Sequence, residues 1–208
     1  MEKLPQEITK LHLMVKLTGL KKIKTAVFIS GNGSNLKNII KFSRISKSPV
    51  SINLIISNTT EAKGLIYANQ FNIKKKIFNY QNFKDAEKNI LILLKNEKIK
   101  FICLAGFMKI LSKNFIKKFD GKIINIHPSL LPKYKGLNTH IRAIKNKDKF
   151  TGCTVHYVTA NLDSGKIIIQ KKIKITAKDD ITSLAKKVLR QEHKLYPAAI
   201  IKIFLPSL

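Results

Sequence analysis

The sequence contains no tryptophan and only two cysteines, Cys103 and Cys153. Cys103 lies in the apolar run Phe101–Ala105, and neither cysteine belongs to a CxxC pair, so we expect two small buried side chains rather than a disulfide or a zinc site. No apolar run approaches the roughly 20 residues that a membrane helix needs. The first 20 residues lack the continuous apolar core of a secretion signal. We therefore expect a cytoplasmic protein without a membrane segment.

Acidic residues are also scarce, because 12 Asp and Glu stand against 40 Lys and Arg, which gives a formal net charge of +28. Such a charge is typical of nucleic-acid binding, in which phosphate contacts release counterions. Arginine occurs only at positions 44, 142 and 190, however, and the densest lysine runs, 74–76 and 171–172, are not interleaved with aromatic residues that could stack on bases. We expect a solvated lysine surface that binds no specific nucleic acid, although its field can attract small anions.

Short β-branched runs alternate with longer amphipathic stretches, which predicts a mostly parallel, Rossmann-like sheet with crossover helices on both faces. After residue 150 two strands joined by a polar loop predict an antiparallel hairpin. The predicted strands are 24–30, 51–57, 75–78, 100–105, 122–125, 153–158 and 166–175, and the predicted helices are 35–46, 62–69, 84–96, 113–119 and 180–204. We expect Pro197 to interrupt the last helix. Residues 21–208 are predicted to form a single α/β domain, preceded by an extension, 1–20, of unknown role.

Asn125 and His127 lie two positions apart at the end of an apolar strand, and Pro128 prevents a helix from starting there. Two such side chains point to the same side of the strand. In open α/β sheets, ligands bind at the carboxyl ends of the strands. These residues are therefore candidates for an active site. Taken alone, the pair would favour the other interpretation, in which Asn125 caps the strand end and His127 is a buried, hydrogen-bonded histidine.

A glycine turn, 31–35, follows the first predicted strand directly. Such a turn can present main-chain N–H groups at a helix N-terminus to a phosphate. It is not a dinucleotide fingerprint, because Leu36 replaces the third glycine. The alternative for this turn is an ordinary helix start capped by Ser34 or Asn35.

Three further segments, 104–112, 131–140 and 152–165, complete a pattern with the glycine turn and the Asn-x-His strand end. From about Thr25 to Pro197 this pattern closely resembles the phosphoribosylglycinamide formyltransferases of the folate-dependent formyltransferase family. Methionyl-tRNA formyltransferase, a relative, typically has Arg-Trp-Arg-Gly where this chain has Lys133-Tyr134-Lys135-Gly136. The resemblance implies the formyltransferase fold. It also implies transfer of a formyl group from 10-formyltetrahydrofolate to the amine of phosphoribosylglycinamide in de novo purine biosynthesis, without a metal.

The resemblance further implies roles for individual residues. Asn125 and His127 would stabilise the oxyanion of a tetrahedral adduct, while Asp163 would hold His127 charged and assist proton transfer. The residues implied in binding phosphoribosylglycinamide are Gly33, Ser34, Asn35 and Glu192, and those implied in binding the folate are Met108, Lys109, Ile110, Leu111, Asn125 and Lys84. Without the resemblance, Asp163 would be interpreted as a turn residue.

The chain departs from the family pattern at several positions. Lys84 stands near a usual arginine and cannot make its bidentate contact, and the other departures are Lys135 for proline, Asn138 for histidine and Ser164 for glycine. His140 and His156 fall at motif positions and are either functional or structural. A formyltransferase acting on another amine and a basic RNA-binding module are the alternative functions. We expect a monomer or a weak homodimer.

Overall fold

The computed structural model describes residues 21–205, so the predicted extension 1–20 lies outside the described part of the chain. One seven-stranded sheet has the order β3-β2-β1-β4-β5-β6-β7. Its strands are β1 (Ile23–Ile29), β2 (Val50–Ser57), β3 (Lys74–Ile77), β4 (Phe101–Leu104), β5 (Lys122–His127), β6 (Phe150–Tyr157) and β7 (Ile167–Lys174). The helices are α1 (Ser34–Ser43), α2 (Ile66–Gln70), α3 (Phe83–Asn96), α4 (Lys113–Lys118), α5 (Thr139–Lys145) and α6 (Ile181–Phe204), with a 3-10 helix at Lys63–Leu65.

The first five strands are parallel, and β5, β6 and β7 follow one another in antiparallel pairs. This confirms the predicted mostly parallel sheet with a C-terminal hairpin. The central strands are nearly continuous apolar runs because helices cover both of their faces. The carboxyl ends of β1, β4 and β5 therefore lie side by side in the middle of the sheet, where ligands bind in open α/β folds.

The core forms two layers, one on each face of the sheet. On one face, Leu36 and Ile40 of α1 pack with Val188 of α6 against the strands. On the other, Ile90 of α3 and Phe115 of α4 form the second layer. The predicted arrangement of helices on both faces of the sheet is confirmed.

The prediction that Pro197 interrupts the last helix is wrong, because α6 runs without a break from Ile181 to Phe204. Proline has no N–H, so the carbonyl of His193, four residues earlier, lacks its helical partner. The side-chain amide of Asn38 in α1 donates to that carbonyl at 2.6 Å. A contact between two helices thus replaces the missing bond within one helix.

Two local features were not foreseen. Helix α5 follows Asn138, whose φ of 59° turns the chain before the helix begins. Strand β6 starts at Phe150, three residues before the predicted start.

Among residues 21–205, no helix has the length and apolar character needed to cross a membrane.

Candidate active site

The carboxyl ends of β4 and β5 open into a cavity of about 750 Å³, here called the main cavity. Asn125 and His127 of β5, His156 of β6 and Asp163 of the hairpin loop all line it. The Asn-x-His spacing places both β5 side chains in the cavity, as the two-residue period of a strand requires. The structure therefore brings together the three residues for which the sequence predicts a catalytic role.

His127 contacts an acceptor through each ring nitrogen. Its Nδ1 lies 3.3 Å from Oδ2 of Asp163, and both side chains are buried, with 7% and 6% exposed. Its Nε2 lies 2.8 Å from the Tyr134 carbonyl oxygen, to which it donates. The main-chain N–H of Gly136 donates to the same Oδ2 of Asp163 at 2.9 Å. One loop, 134–136, thus positions both members of the pair.

Burial and hydrogen bonding act in opposite directions on this pair. Burial lowers the pKa of His127, and the Tyr134 carbonyl and the Asp163 charge oppose that shift without reversing it. Burial raises the pKa of Asp163, but its contacts with His156 and with the Gly136 N–H lower the pKa by more, so the net pKa is lowered. Asp163 is therefore a carboxylate at neutral pH. The predicted charging of His127 is opposed by its burial in the free protein.

His156 lies between Asn125 and Asp163. The antiparallel register pairs it with Asn125 across β5 and β6. Its Nδ1 donates to the Tyr157 carbonyl at 2.9 Å, so its Nε2 accepts from Nδ2 of Asn125 at 3.3 Å. That nitrogen is also 3.5 Å from Oδ1 of Asp163. His156 thereby holds the Asn125 carboxamide in place and leaves its second amide hydrogen available.

The glycine turn borders a smaller cavity of about 170 Å³, which shares Asn35, Gly106 and Met108 with the main cavity. Gly33 has a φ of 72°, and no side chain caps the first turn of α1. Main-chain N–H groups at the start of a helix need partners from outside the helix. Here the residues of the turn, 31–35, line the smaller cavity.

Asn35 and Glu192 form a buried pair at the junction of the two cavities. Nδ2 of Asn35 donates to Oε2 of Glu192 at 2.7 Å. Burial raises the pKa of Glu192, and the hydrogen bond from Asn35 offsets only part of the shift. Among residues 21–205, Oδ1 of Asn35 is a buried acceptor without a hydrogen-bond partner. A ligand with a donor at this point would satisfy it.

Residues 108–111, predicted to bind the folate, line one wall of the main cavity. Met108 and Ile110 are 63% and 66% exposed, whereas Leu111 is buried. Within the described part of the chain, the main-chain N–H and C=O groups of Lys109 and Ile110 make no internal hydrogen bond. Lys84, also predicted to contact the folate, is exposed in the first turn of α3 and does not line either cavity.

The rim of the main cavity includes residues that sequence reasoning missed. Leu137, Ile141, Leu162 and Ile181 are all more than 40% exposed and line the cavity with apolar surface. Ile141 belongs to α5, a helix that the sequence did not predict. His140 also lines the cavity, and burial lowers its pKa. Between residues 21 and 205, no three His, Cys, Asp or Glu side chains are grouped so that they could hold a metal ion.

The strand order and the antiparallel hairpin after β5 define the class of protein, which is the formyltransferase fold. The chain belongs to the formyl transferase family, whose sequence profile matches residues 23–200.

Individual members of the family are similar over most of the chain. It is 42% identical over 180 residues to the phosphoribosylglycinamide formyltransferase of Haemophilus influenzae, which covers 85% of each protein. It is 41% identical over 183 residues to the human trifunctional purine biosynthetic protein adenosine-3, but the chain spans only 18% of that protein's length. The crystal structure of phosphoribosylglycinamide formyltransferase from Brucella melitensis superposes with a TM-score of 0.84 at 39% identity, covering 90% of this chain and 98% of that one.

Proposed function

We propose that this protein transfers a formyl group from 10-formyltetrahydrofolate to the amine of phosphoribosylglycinamide, a step of de novo purine biosynthesis. The observation that carries the proposal is the convergence of Asn125, His127 and Asp163 in one cavity. On one side the cavity adjoins the uncapped N-terminus of α1, which can bind an anion. On the other side it has an apolar wall. The names of the relatives in Haemophilus influenzae and Brucella melitensis support the same reaction.

The phosphoribosyl part of the substrate fits the smaller cavity and its junction with the main one. The uncapped start of α1, with Gly33 and Ser34, offers N–H groups and a positive helix end to the phosphate. Glu192 and the unpaired Oδ1 of Asn35 are acceptors for ribose hydroxyls. The net charge of +28 attracts such an anion from a distance at low salt.

The folate fits the wall formed by residues 108–111. The unpaired N–H and C=O groups of Lys109 and Ile110 alternate along the chain, so they match a flat heterocycle with donors and acceptors on its edge. The apolar rim at Leu137, Ile141 and Leu162 would cover the aromatic part of the molecule. Lys84 has no place in this arrangement unless the folate tail extends beyond the cavity.

In the reaction, the substrate amine attacks the formyl carbon, and the carbonyl electrons move onto oxygen. Asn125 donates its free amide hydrogen to that oxygen. The negative charge on the adduct raises the pKa of the nearby His127, so the imidazole, whose two nitrogens face the Tyr134 carbonyl and Asp163, gains a proton and stabilises the oxyanion through its positive charge. Collapse of the adduct breaks the bond from the formyl carbon to the folate nitrogen.

Two protons move during the transfer. The attacking amine loses one, and the folate nitrogen gains one as it leaves. Asp163 remains ionised because of its hydrogen bonds, so it can accept the first proton through water and pass one on through His127. Every step is thus assigned to groups of this chain. The proposal also places the enzyme in the cytoplasm, where the two unpaired cysteines would stay reduced.

The direct test is an assay of the purified full-length protein with both substrates. Formylated product should appear only when phosphoribosylglycinamide and 10-formyltetrahydrofolate are both present. Glycinamide without the phosphoribosyl group should react far more slowly, since it lacks the contacts of α1. Product formation from another amine, with none from phosphoribosylglycinamide, would favour the alternative formyltransferase. Tight, salt-resistant binding to one RNA without formyl transfer would favour the RNA-binding alternative.

A further inference from the structure

Two side chains outside the reacting trio, here called the clamp, hold the ends of the cavity wall 106–112. One is Ser30, which directly follows β1, and the other is Glu87, which comes from α3 on the outer layer. Neither residue was predicted from the sequence to belong to the site. We propose that Ser30 and Glu87 are positioning residues, which fix the main chain of residues 108–111 so that its free groups are presented to the folate. This inference rests on the proposed function.

At the first end, Ser30 binds the wall through its hydroxyl and its main chain. The N–H of Met108 donates to Oγ of Ser30 at 2.8 Å. The N–H of Ser30 donates to the Gly106 carbonyl at 3.1 Å. The Ser30 hydroxyl itself donates to Oδ1 of Asn58, which follows β2. Because Asn58 takes the hydroxyl hydrogen, an oxygen lone pair of Ser30 is directed at the Met108 N–H.

At the second end, Glu87 accepts two hydrogen bonds from one residue. The N–H of Ser112 donates to Oε1 of Glu87 at 2.8 Å, and the Ser112 hydroxyl donates to Oε2. The same hydroxyl accepts from the N–H of Phe115 at 3.0 Å and so caps α4. Glu87 is only 4% exposed. A buried carboxyl group is costly unless it is hydrogen-bonded, so this contact fixes where the wall ends and α4 begins.

Between these two ends, the wall has no hydrogen bonds of its own. In the described residues, Lys109 and Ile110 make none through the main chain, and only Leu111 is buried. A segment without regular structure would change conformation freely unless its ends were held. The clamp therefore reduces the conformational entropy that folate binding must overcome. Glu87 lines neither cavity, whereas Ser30 holds Gly106 and Met108, which also line the smaller cavity.

The test compares binding and kinetics of the full-length protein with those of Ser30→Ala and Glu87→Gln. Each variant should raise the Kd for 10-formyltetrahydrofolate, measured by calorimetry, and its KM by about tenfold. The KM for phosphoribosylglycinamide should change less than twofold in Glu87→Gln, and less than the KM for the folate in Ser30→Ala. Ser30→Thr keeps the hydroxyl and should restore folate binding. Matched controls are Ser51→Ala, whose hydroxyl donates to Asn53 on β2, and the exposed Glu61→Gln.

Amide hydrogen exchange of the unliganded proteins provides a measurement that does not depend on activity. The N–H groups of Met108 and Ser112 should exchange slowly, and those of Lys109 and Ile110 rapidly. Ser30→Ala should remove the protection at Met108 alone. Glu87→Gln, whose one remaining oxygen can accept only one of the two bonds from Ser112, should reduce the protection at Ser112 alone. If Glu87→Gln does not fold, Ser30→Ala and Asn58→Ala still test the first end of the wall. Asn58→Ala should raise the Kd for 10-formyltetrahydrofolate less than Ser30→Ala does.

The outcomes separate the clamp from the proposed function. A wild-type protein that binds no folate overturns the proposed function and this inference with it. A wild-type protein that binds folate, with variants that bind it equally well, overturns only the clamp. Variants that lose affinity for both substrates to the same degree also overturn the clamp, because such a loss would mean a general loss of structure.

Discussion

The side-chain amide of Asn38 donates to the main-chain carbonyl of His193 across the interface of α1 and α6. Pro197 deprives that carbonyl of its partner within the helix, so the two helices share a bond that one of them would normally make alone. The neighbouring bond from Asn35 to Glu192 joins the same two helices at the cavity. The proline that would ordinarily interrupt α6 is therefore part of how α6 is attached beside the site.

This relationship predicts the result of a double-mutant cycle on Asn38 and Pro197. Asn38→Ala should lower the free energy of unfolding by about 1–3 kcal/mol, because it leaves the His193 carbonyl without a partner. Pro197→Ala restores an N–H to the helix, so Asn38→Ala should cost much less in that background. Denaturant unfolding of the four proteins gives the values. Equal costs of Asn38→Ala in both backgrounds would show that Pro197 plays no part.

The sequence predicted most of the fold because its strands are apolar and β-branched. Runs such as 54–56 and 101–105 are buried on both faces of the sheet, and that environment selects residue types that are easy to recognise. The error at Pro197 arose from a contact 155 residues away in sequence, which no local pattern contains. Helix α5 was missed because no capping side chain marks its start, which follows an Asn in the left-handed region.

The candidate site also contains residues that could be predicted from the sequence and residues that could not. Asn125 and His127 could be predicted because two positions on one strand share a side. Whether His156 is functional or structural could not be decided from the sequence, because its contacts depend on the register of β5 with β6. Glu87 gave no sequence pattern at all, because its partner is Ser112, 25 residues away on another element. Lys84, assigned by resemblance alone, lies outside both cavities.

Glu192→Gln should stabilise the free protein at pH 8 and weaken the binding of phosphoribosylglycinamide. Burial raises the pKa of Glu192, so the folded state binds more protons than the unfolded state between the ordinary pKa of about 4.3 and the raised value. The stability of the wild type therefore falls as pH rises through that window. Glutamine keeps an oxygen for Asn35 and does not titrate.

Unfolding of wild type and Glu192→Gln at pH 5 and pH 8, with KM values for both substrates, checks this expectation. Glu192→Gln should lose less stability than the wild type between the two pH values. The KM for phosphoribosylglycinamide should rise about tenfold. Glu61→Gln, at an exposed position, is the control. A wild-type stability that rises from pH 5 to pH 8 by as much as that of the variant would contradict the raised pKa.

Gly33 and Ser34 should respond differently to alanine. A Cβ at Gly33 would lie 2.6 Å from the Cα of Gly64, and its φ is 72°, so Gly33→Ala should lower stability by about 1–3 kcal/mol and impair both substrates. Ser34→Ala should raise only the KM for phosphoribosylglycinamide, by about tenfold, because its hydroxyl lines the smaller cavity. Thermal unfolding and a comparison of the two KM values test this. A normal KM for Ser34→Ala would mean that main-chain groups alone bind the phosphate.

Asp163→Asn should preserve the fold and both binding steps while lowering kcat by about two to four orders of magnitude. Asp163 has a φ of 46°, in the left-handed region that asparagine tolerates well. Asparagine can also accept the Gly136 N–H with its Oδ1. It cannot accept a proton, however, or favour a positive charge on His127. Asp120→Asn, at an exposed ion pair with Lys100, is the matched control and should retain normal turnover.

His127→Asn should reduce kcat to a similar degree, and the double variant His127→Asn, Asp163→Asn should lose much less than the product of the two single losses. Residues that act as one unit are not additive, because the first substitution already removes most of what the second would remove. The 3.3 Å contact between His127 and Asp163 is the structural basis of that unit. Single-turnover rates at saturating concentrations of both substrates measure the chemical step directly. Fully additive losses would show that the two residues act independently, and near-normal turnover of Asp163→Asn would return Asp163 to the role of a turn residue in Leu-Asp-Ser-Gly.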